Sequence, residues 1–154
     1  MAPPHDGIAV LLPLAVAGGL IFGTVFIHAL ALIAIIHYVR RERERGRAGV
    51  RFWRDVTIVA ATVLVALAAH LVEIAAWALA FVICHEFPDY STAFYHSAVN
   101  YTTLGYGDII MSASWRLLGP LEAADGSLMF GVSTAMIFAV ILRLIQTRYR
   151  DSGS

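Results

Sequence analysis

Long apolar runs separated by shorter polar segments organise this chain of 154 residues. No charged side chain interrupts positions 7–39, and two further predominantly apolar runs cover about 56–84 and 117–144. Each run exceeds the roughly 20 apolar residues that a helix needs to cross a hydrocarbon core about 30 Å thick. The pattern therefore predicts three transmembrane helices.

A few ionisable residues lie inside these predicted spans. His70 and Glu73 are three residues apart in the second run, so a helix would present them on one face. Glu122 and Asp125 come early in the third run. Ionisable groups inside a membrane span indicate a functional site by default. Two carboxylates this close to a helix start would alternatively lie in the headgroup region of the bilayer.

A shorter and more polar segment separates the second run from the third. Positions 90–102 predict a helix of about 13 residues, which extends about 20 Å and cannot cross a bilayer. Asp89 or Ser91 would cap the start of this helix. We therefore expect a re-entrant helix that enters the membrane and ends inside it.

The string "TTLGYGD" at positions 102–108 follows this half-length helix. Gly105 and Gly107 permit backbone dihedral angles that are closed to other residues, so successive carbonyl groups are able to point the same way. Irregular backbone at membrane depth is tolerated only where protein surrounds it or water reaches it. Rings of carbonyl oxygens replace the hydration shell of an alkali cation, and one chain supplies only one side of a ring. The segment therefore predicts a cation pathway built by several copies of the chain.

The same string resembles the selectivity filter of potassium channels, whose pattern is Thr, a branched apolar residue, Gly, Tyr or Phe, Gly and Asp. The resemblance implies that five residues line a filter for K⁺: Thr103, Leu104, Gly105, Tyr106 and Gly107. It also implies that Asp108 lies at the outer mouth and that the Tyr106 ring packs outward against the pore helix. Leu104 departs from the more usual valine or isoleucine, which leaves open whether the pore also passes Na⁺.

The resemblance extends to the neighbouring segments. "FYHSAVNYTT" is similar to the pore helix of these channels, and the third run is similar to their inner helix, with Gly126 in the place of the hinge glycine. Gly126 would alternatively serve only close helix packing. The resemblance places one face of the inner helix on the central cavity: Ser127, Phe130, Thr134 and Phe138. We expect a polar scaffold behind the filter, holding Asp108, from five residues: Glu73, Tyr95, His96, Asn100 and Glu122.

Together these features predict an all-α integral membrane protein with three transmembrane helices, a re-entrant pore helix and a filter loop, assembled as a homotetramer around a central pore. Residues 1–55 would form an additional N-terminal transmembrane helix and a basic cytoplasmic loop. Residues 56–146 would form the pore domain, and residues 147–154 a short cytoplasmic tail. Such a pore conducts ions passively, so we expect neither enzymatic activity nor an organic cofactor.

The charges of the chain are balanced in number but unevenly placed. Eleven basic and eleven acidic residues give no net charge, which does not favour nucleic acid as a partner. Seven arginines lie between positions 40 and 54, and the chain contains no lysine. Short cytoplasmic loops carry an excess of such residues, so we expect a plasma (inner) membrane protein with its N-terminus outside and its C-terminus in the cytoplasm. The arginines would set this orientation or bind anionic membrane lipids.

The six histidines raise an alternative interpretation. His28, His37 and His70 lie in or near predicted spans, and histidines on facing helices ligate haem. No regular spacing pairs them. A haem-binding or structural membrane subunit is therefore the less favoured hypothesis.

Overall fold

A computed structural model describes residues 10–151 of the chain, without the side chains of residues 150 and 151. These residues form four α-helices and no strand: α1 (Leu11–Glu44), α2 (Phe52–Ile83), α3 (Tyr90–Tyr101) and α4 (Leu118–Asp151). Three of them, α1, α2 and α4, are long and apolar enough to cross a membrane. The predicted all-helical chain is thus confirmed, with three helices that are candidates for spanning a membrane. The first residues of the first predicted run, 7–9, and the last three residues of the predicted tail lie outside the described part.

The helices extend further than the apolar runs that predicted them. α1 continues past position 39 to Glu44, and α4 continues past position 144 to Asp151. The α1 extension is supported by the pair of Arg40 and Glu44, four residues apart, whose Nε and Oε1 atoms are 2.7 Å from each other. An apolar run marks the part of a helix that is suited to lipid, whereas backbone hydrogen bonding continues into charged residues. The sequence pattern therefore predicted the spans better than it predicted the helix ends.

The short helix α3 begins where the sequence analysis expected. The side chain of Asp89 caps it by accepting a hydrogen bond from the Thr92 amide at 2.8 Å. Asp89 also accepts from the Ser91 hydroxyl at 2.7 Å. These bonds favour the charged carboxylate and lower the pKa of Asp89 to about 2. Because the cap is lost only as the pH falls through that low pKa, α3 keeps its start throughout the neutral range.

The described residues divide into two compact units, each of which draws on α1, α2 and α4. The first, which we call the filter unit, comprises residues 10–26 and 71–128 and includes the whole of α3. Its buried side chains include Trp77, Phe81 and Tyr101, each fully buried. The second, which we call the arginine unit, comprises residues 27–70 and 129–151. Its apolar core is a cluster of six residues: Ile35, Val39, Ala48, Ile58, Val140 and Leu144.

Candidate functional site

The backbone between α3 and α4 has an alternating conformation. Thr103, Gly105 and Gly107 have φ angles of 60°, 57° and 71°, whereas Leu104 and Tyr106 between them have negative φ. Glycine enters the left-handed region easily, but threonine does so at a cost in strain. The two glycines of the motif thus adopt the dihedral angles for which glycine is needed.

The first three amide groups of residues 103–107 donate hydrogen bonds within the chain, whereas the carbonyl groups of these residues accept none from the described residues. The amide of Thr103 donates to the Asn100 carbonyl at 2.8 Å, and those of Leu104 and Gly105 donate to the Val99 carbonyl at 3.0 and 3.2 Å. Within the described part of the chain, the carbonyl oxygens of residues 103–107 accept no hydrogen bond. Their residues are all exposed. The segment therefore exposes a row of carbonyl oxygens that no donor of the described chain satisfies.

Tyr106 is exposed in the single chain. Its side chain is 66% exposed, so α3 of the same chain covers little of the ring. The expected packing of this ring against a pore helix stays a prediction.

Asp108 follows this segment directly and is hydrogen-bonded to Tyr95 of α3, one of the predicted scaffold residues. Its Oδ2 accepts a hydrogen bond from the Tyr95 hydroxyl at 2.7 Å, and its Oδ1 accepts from the Ile109 amide at 3.1 Å. The Tyr95 bond is the main cause that lowers the pKa of Asp108, and the same bond raises the pKa of Tyr95. Asp108 therefore remains a carboxylate at neutral pH.

Two more of the predicted scaffold residues contact each other on α3. The Nδ2 atom of Asn100 lies 2.8 Å from Nε2 of His96. A cavity of about 170 Å³ lies beside them and is also lined by Ile109 and Arg116. These two scaffold residues therefore reach the backbone that follows the filter string.

The two predicted scaffold glutamates are bonded to α3 through neutral hydroxyl groups. Glu122 is completely buried and accepts from the Ser97 hydroxyl at 2.5 Å. Glu73 is also completely buried and accepts from the Tyr101 hydroxyl. Glu122 is therefore enclosed by protein, and its depth in the membrane stays a prediction.

Asp125 forms a contact that sequence reasoning missed. Its Oδ2 accepts from the Thr24 hydroxyl at 2.8 Å and from the Trp77 indole nitrogen at 3.0 Å, and its side chain is 1% exposed. The contact joins α1, α2 and α4 within the filter unit. The signal available in the sequence was Trp77, because an indole N–H inside an apolar span needs an acceptor.

The next residue, Gly126, packs against the end of α3. A Cβ atom added at this position would collide with the carbonyl oxygen of Tyr101. Gly126 therefore permits close approach of α4 to the last residue of α3. This agrees with the alternative prediction that Gly126 serves close helix packing. A hinge role stays a prediction.

The comparison with protein families decides the class of this protein. The family described as "Ion channel" matches residues 58–143, which is 86 of the 154 residues. This chain belongs to the ion channel family. The comparisons with curated proteins and with solved structures each found no match.

The predicted cavity face of the channel lies on α4 after Gly126. Its four residues are all exposed in the single chain: Ser127, Phe130, Thr134 and Phe138. Gly126 is not part of this exposed face, because it is buried. Exposed phenylalanines on an apolar helix need lipid or protein to cover them, and the position of this face on a central cavity stays a prediction.

The histidines of the channel form a pair that the sequence did not predict. Ser133 Oγ lies 3.1 Å from His28 Nε2 and 3.0 Å from His70 Nε2, within the arginine unit. The two rings are 5.1 Å apart between their centroids. Because the rings lie this close and share one serine hydroxyl, the pair does not fit opposite faces of a haem.

Proposed function

We propose that the chain is one subunit of a homotetrameric potassium channel. Four copies would bring residues 103–107 together around one axis, with Asp108 at the outer mouth. K⁺ would shed its water into the carbonyl and threonine oxygens and move in single file down its electrochemical gradient. Such a protein is a passive pore without an organic cofactor and not an enzyme.

The observation that carries this proposal is the row of unused carbonyl oxygens. An unsatisfied peptide group costs several kcal/mol in hydrocarbon, and five consecutive residues expose theirs without a hydrogen-bond donor in the described chain. Alternating signs of φ along the row support carbonyl groups that point to one side. A cation with partial hydration satisfies such oxygens, and symmetry-related copies complete its coordination.

The position of α3 supports the same proposal. At 12 residues it spans about 18 Å, which is too short to cross the bilayer. Its carbonyl end lies directly before Thr103, and the C-terminus of a helix carries partial negative charge. A re-entrant α3 would therefore direct this charge toward a cation near the filter.

A second candidate function is a cation channel that passes both K⁺ and Na⁺. Leu104 favours it, because leucine branches one carbon further from the backbone than valine or isoleucine. The altered packing behind the filter would change how firmly the carbonyl groups hold their spacing. Membership in the ion channel family is compatible with both functions.

The orientation of the channel follows from its arginines. The positive-inside rule supports a cytoplasmic loop between α1 and α2 in a plasma (inner) membrane. The N-terminus would then be outside and the C-terminus inside. Protein partners other than further copies of the chain, and nucleic acid, are not required for conduction.

The decisive experiment is a reversal potential in a planar bilayer that contains the purified protein, with K⁺ on one side and Na⁺ on the other. We expect reversal near the K⁺ equilibrium potential. A reversal near zero would instead support the non-selective pore. Leu104→Val should sharpen K⁺ selectivity in that second case, and Leu128→Val, an equal change at an exposed position on α4, should leave it unaltered.

Mass measurement of the intact assembly tests the subunit number independently of conduction. Four chains per particle are expected. A monomer with a haem absorbance band would contradict the channel proposal and support the haem-binding subunit.

A further inference from the structure

The arginine unit contains more basic groups than its carboxylates neutralise. Glu42 is buried and accepts from Arg54 at 2.9 Å, and Arg45 and Arg47 lie 3.6 and 3.9 Å from the same side chain. Three arginines thus share one carboxylate.

In two other ion pairs of this unit, one arginine is matched by one carboxylate. Arg40 pairs with Glu44 at 2.7 Å, and Arg148 pairs with Asp55 at 2.5 Å. These pairs account for the remaining nearby carboxylates of the unit whose side chains are described.

Arg43 and Arg143 have no carboxylate partner among the described residues. Arg43 belongs to the last turn of α1, and Arg143 lies on α4. Both are exposed, and both line one cavity of about 470 Å³. Two uncompensated guanidinium groups from different helices therefore face the same space.

The rest of the cavity wall is suited to a phosphate. Gln146, Thr147 and Tyr149 complete the lining, and each has polar side-chain atoms. Guanidinium groups bind phosphate oxygens in a bidentate geometry that an ammonium group does not reproduce. A phosphate between Arg43 and Arg143 would also relieve the repulsion of two like charges.

The same helix faces carry exposed apolar residues deeper in the predicted spans. Ile36, seven residues before Arg43 on α1, is 51% exposed, and residues seven apart lie on one helix face. Ala139, four residues before Arg143 on α4, is exposed, and so is Val132, seven residues before Ala139. The phosphate cavity is thus continued by an apolar surface. A free phosphate has no apolar group to contact that surface, whereas a lipid has acyl chains that cover it.

We propose that this cavity is a binding site for an anionic phospholipid, with its phosphate between Arg43 and Arg143 and its acyl chains along Ile36, Val132 and Ala139. The lipid would link the additional helix α1 to the helix α4 that is proposed to line the pore. The proposal depends on a membrane location and not on ion selectivity.

Native mass spectrometry of the intact assembly, with phosphatidylglycerol or phosphatidylcholine added in detergent, tests the site. We expect phosphatidylglycerol to bind more tightly than phosphatidylcholine. Arg43→Gln and Arg143→Gln should each weaken its binding by about fivefold, the effect of one basic group near an anionic lipid. Replacement of both by lysine should retain part of the affinity, because the charge remains while the bidentate geometry is lost.

Arg41→Gln is the matched control, because Arg41 is on the same helix, is exposed and does not line the cavity. It should leave phosphatidylglycerol binding within twofold of the unmodified chain, or about 0.4 kcal/mol. An equal loss in Arg41→Gln would overturn the site in favour of diffuse charge. Displacement of the lipid by an equal concentration of inorganic phosphate, or equal binding of phosphatidylcholine, would overturn the lipid as its ligand. None of these measurements requires ion conduction. A failure of the lipid-site proposal is therefore distinguishable from a failure of the channel proposal.

Discussion

The buried carboxylates of the filter unit and those of the arginine unit bind different kinds of donor. In the filter unit, Glu73, Glu122 and Asp125 accept from uncharged groups: the hydroxyls of Tyr101, Ser97 and Thr24 and the indole of Trp77. In the arginine unit, the buried Glu42 accepts from the guanidinium group of Arg54, and the half-buried Asp55 accepts from that of Arg148 and from the Gly49 amide.

The difference follows from where each kind of donor is tolerated. A cation within a membrane span is costly, whereas hydroxyl and indole donors satisfy a carboxylate without adding a second charge. Arginine side chains near helix ends extend their charged groups to the interface. The donors to these three carboxylates are therefore neutral, and arginines are concentrated at the termini of the long helices.

The largest expected effect comes from removing an acceptor that has two neutral donors. Asp125→Ala leaves Thr24 and Trp77 without their shared acceptor, and we expect a loss of about 3 kcal/mol. This corresponds to a decrease of about 6–12 °C in the melting temperature of the purified protein.

Glu44→Ala provides the comparison for Asp125→Ala. Its partner Arg40 is exposed, and exposed ion pairs contribute at most about 1 kcal/mol. If the two variants lowered the melting temperature equally, the distinction between the units would have no energetic basis.

The glycines of α4 offer a second comparison between the units. Gly126→Ala places a methyl group against the Tyr101 carbonyl, and we expect a loss of about 2 kcal/mol from overpacking. Gly131→Ala, on the same helix with no neighbouring atom within 4 Å, should raise stability by up to about 1 kcal/mol through helix propensity. Thermal unfolding of both variants measures the sign of each change in stability. Stabilisation by Gly126→Ala would contradict the close packing at the end of α3.

Neutralising one carboxylate in each unit tests the role of charge. Glu42→Gln loses its ionic attraction to Arg54, and we expect a loss of about 2 kcal/mol. Glu73→Gln still offers an amide oxygen to Tyr101, so we expect a loss of about 1 kcal/mol or less and a flatter response of the current to pH. Because glutamine cannot take up a proton as Glu73 can, this variant tests two hypotheses for Glu73, a scaffold role and a proton-sensing role. Unchanged assembly stability together with an unchanged pH response would contradict both.

The smallest expected change in stability comes from Tyr95→Phe. It removes the hydrogen bond that keeps the pKa of Asp108 low, so that pKa should rise toward its ordinary value. The carboxylate is charged above its pKa, and the variant should therefore lose current at a higher external pH than the unmodified channel. Tyr90→Phe, which removes a hydroxyl on the same helix bonded to the Ala75 carbonyl, should not shift the profile. Identical acid profiles for the two variants would mean that Tyr95 does not control Asp108.

Local patterns in the sequence predicted much of the fold. Charge-free runs marked the three spans, Asp89 marked the start of α3, and Gly105 and Gly107 marked the left-handed positions of the filter segment. Each of these properties depends on residues close together in the chain. Thr103 shares the left-handed conformation without any such signal, because its φ angle depends on the amide bonds that the segment makes to Asn100 and Val99.

The sequence alone determined that the chain has three spans, a half-length helix and a filter-like string, because length, hydropathy and glycine spacing are local properties. Only the tertiary structure decided that Asp125 meets Thr24 and Trp77 and that Gly126 meets Tyr101. When an α-helix is apolar on every side, its sequence pattern does not show which face packs against its neighbours. The partners of its few polar residues are therefore selected when the helices pack.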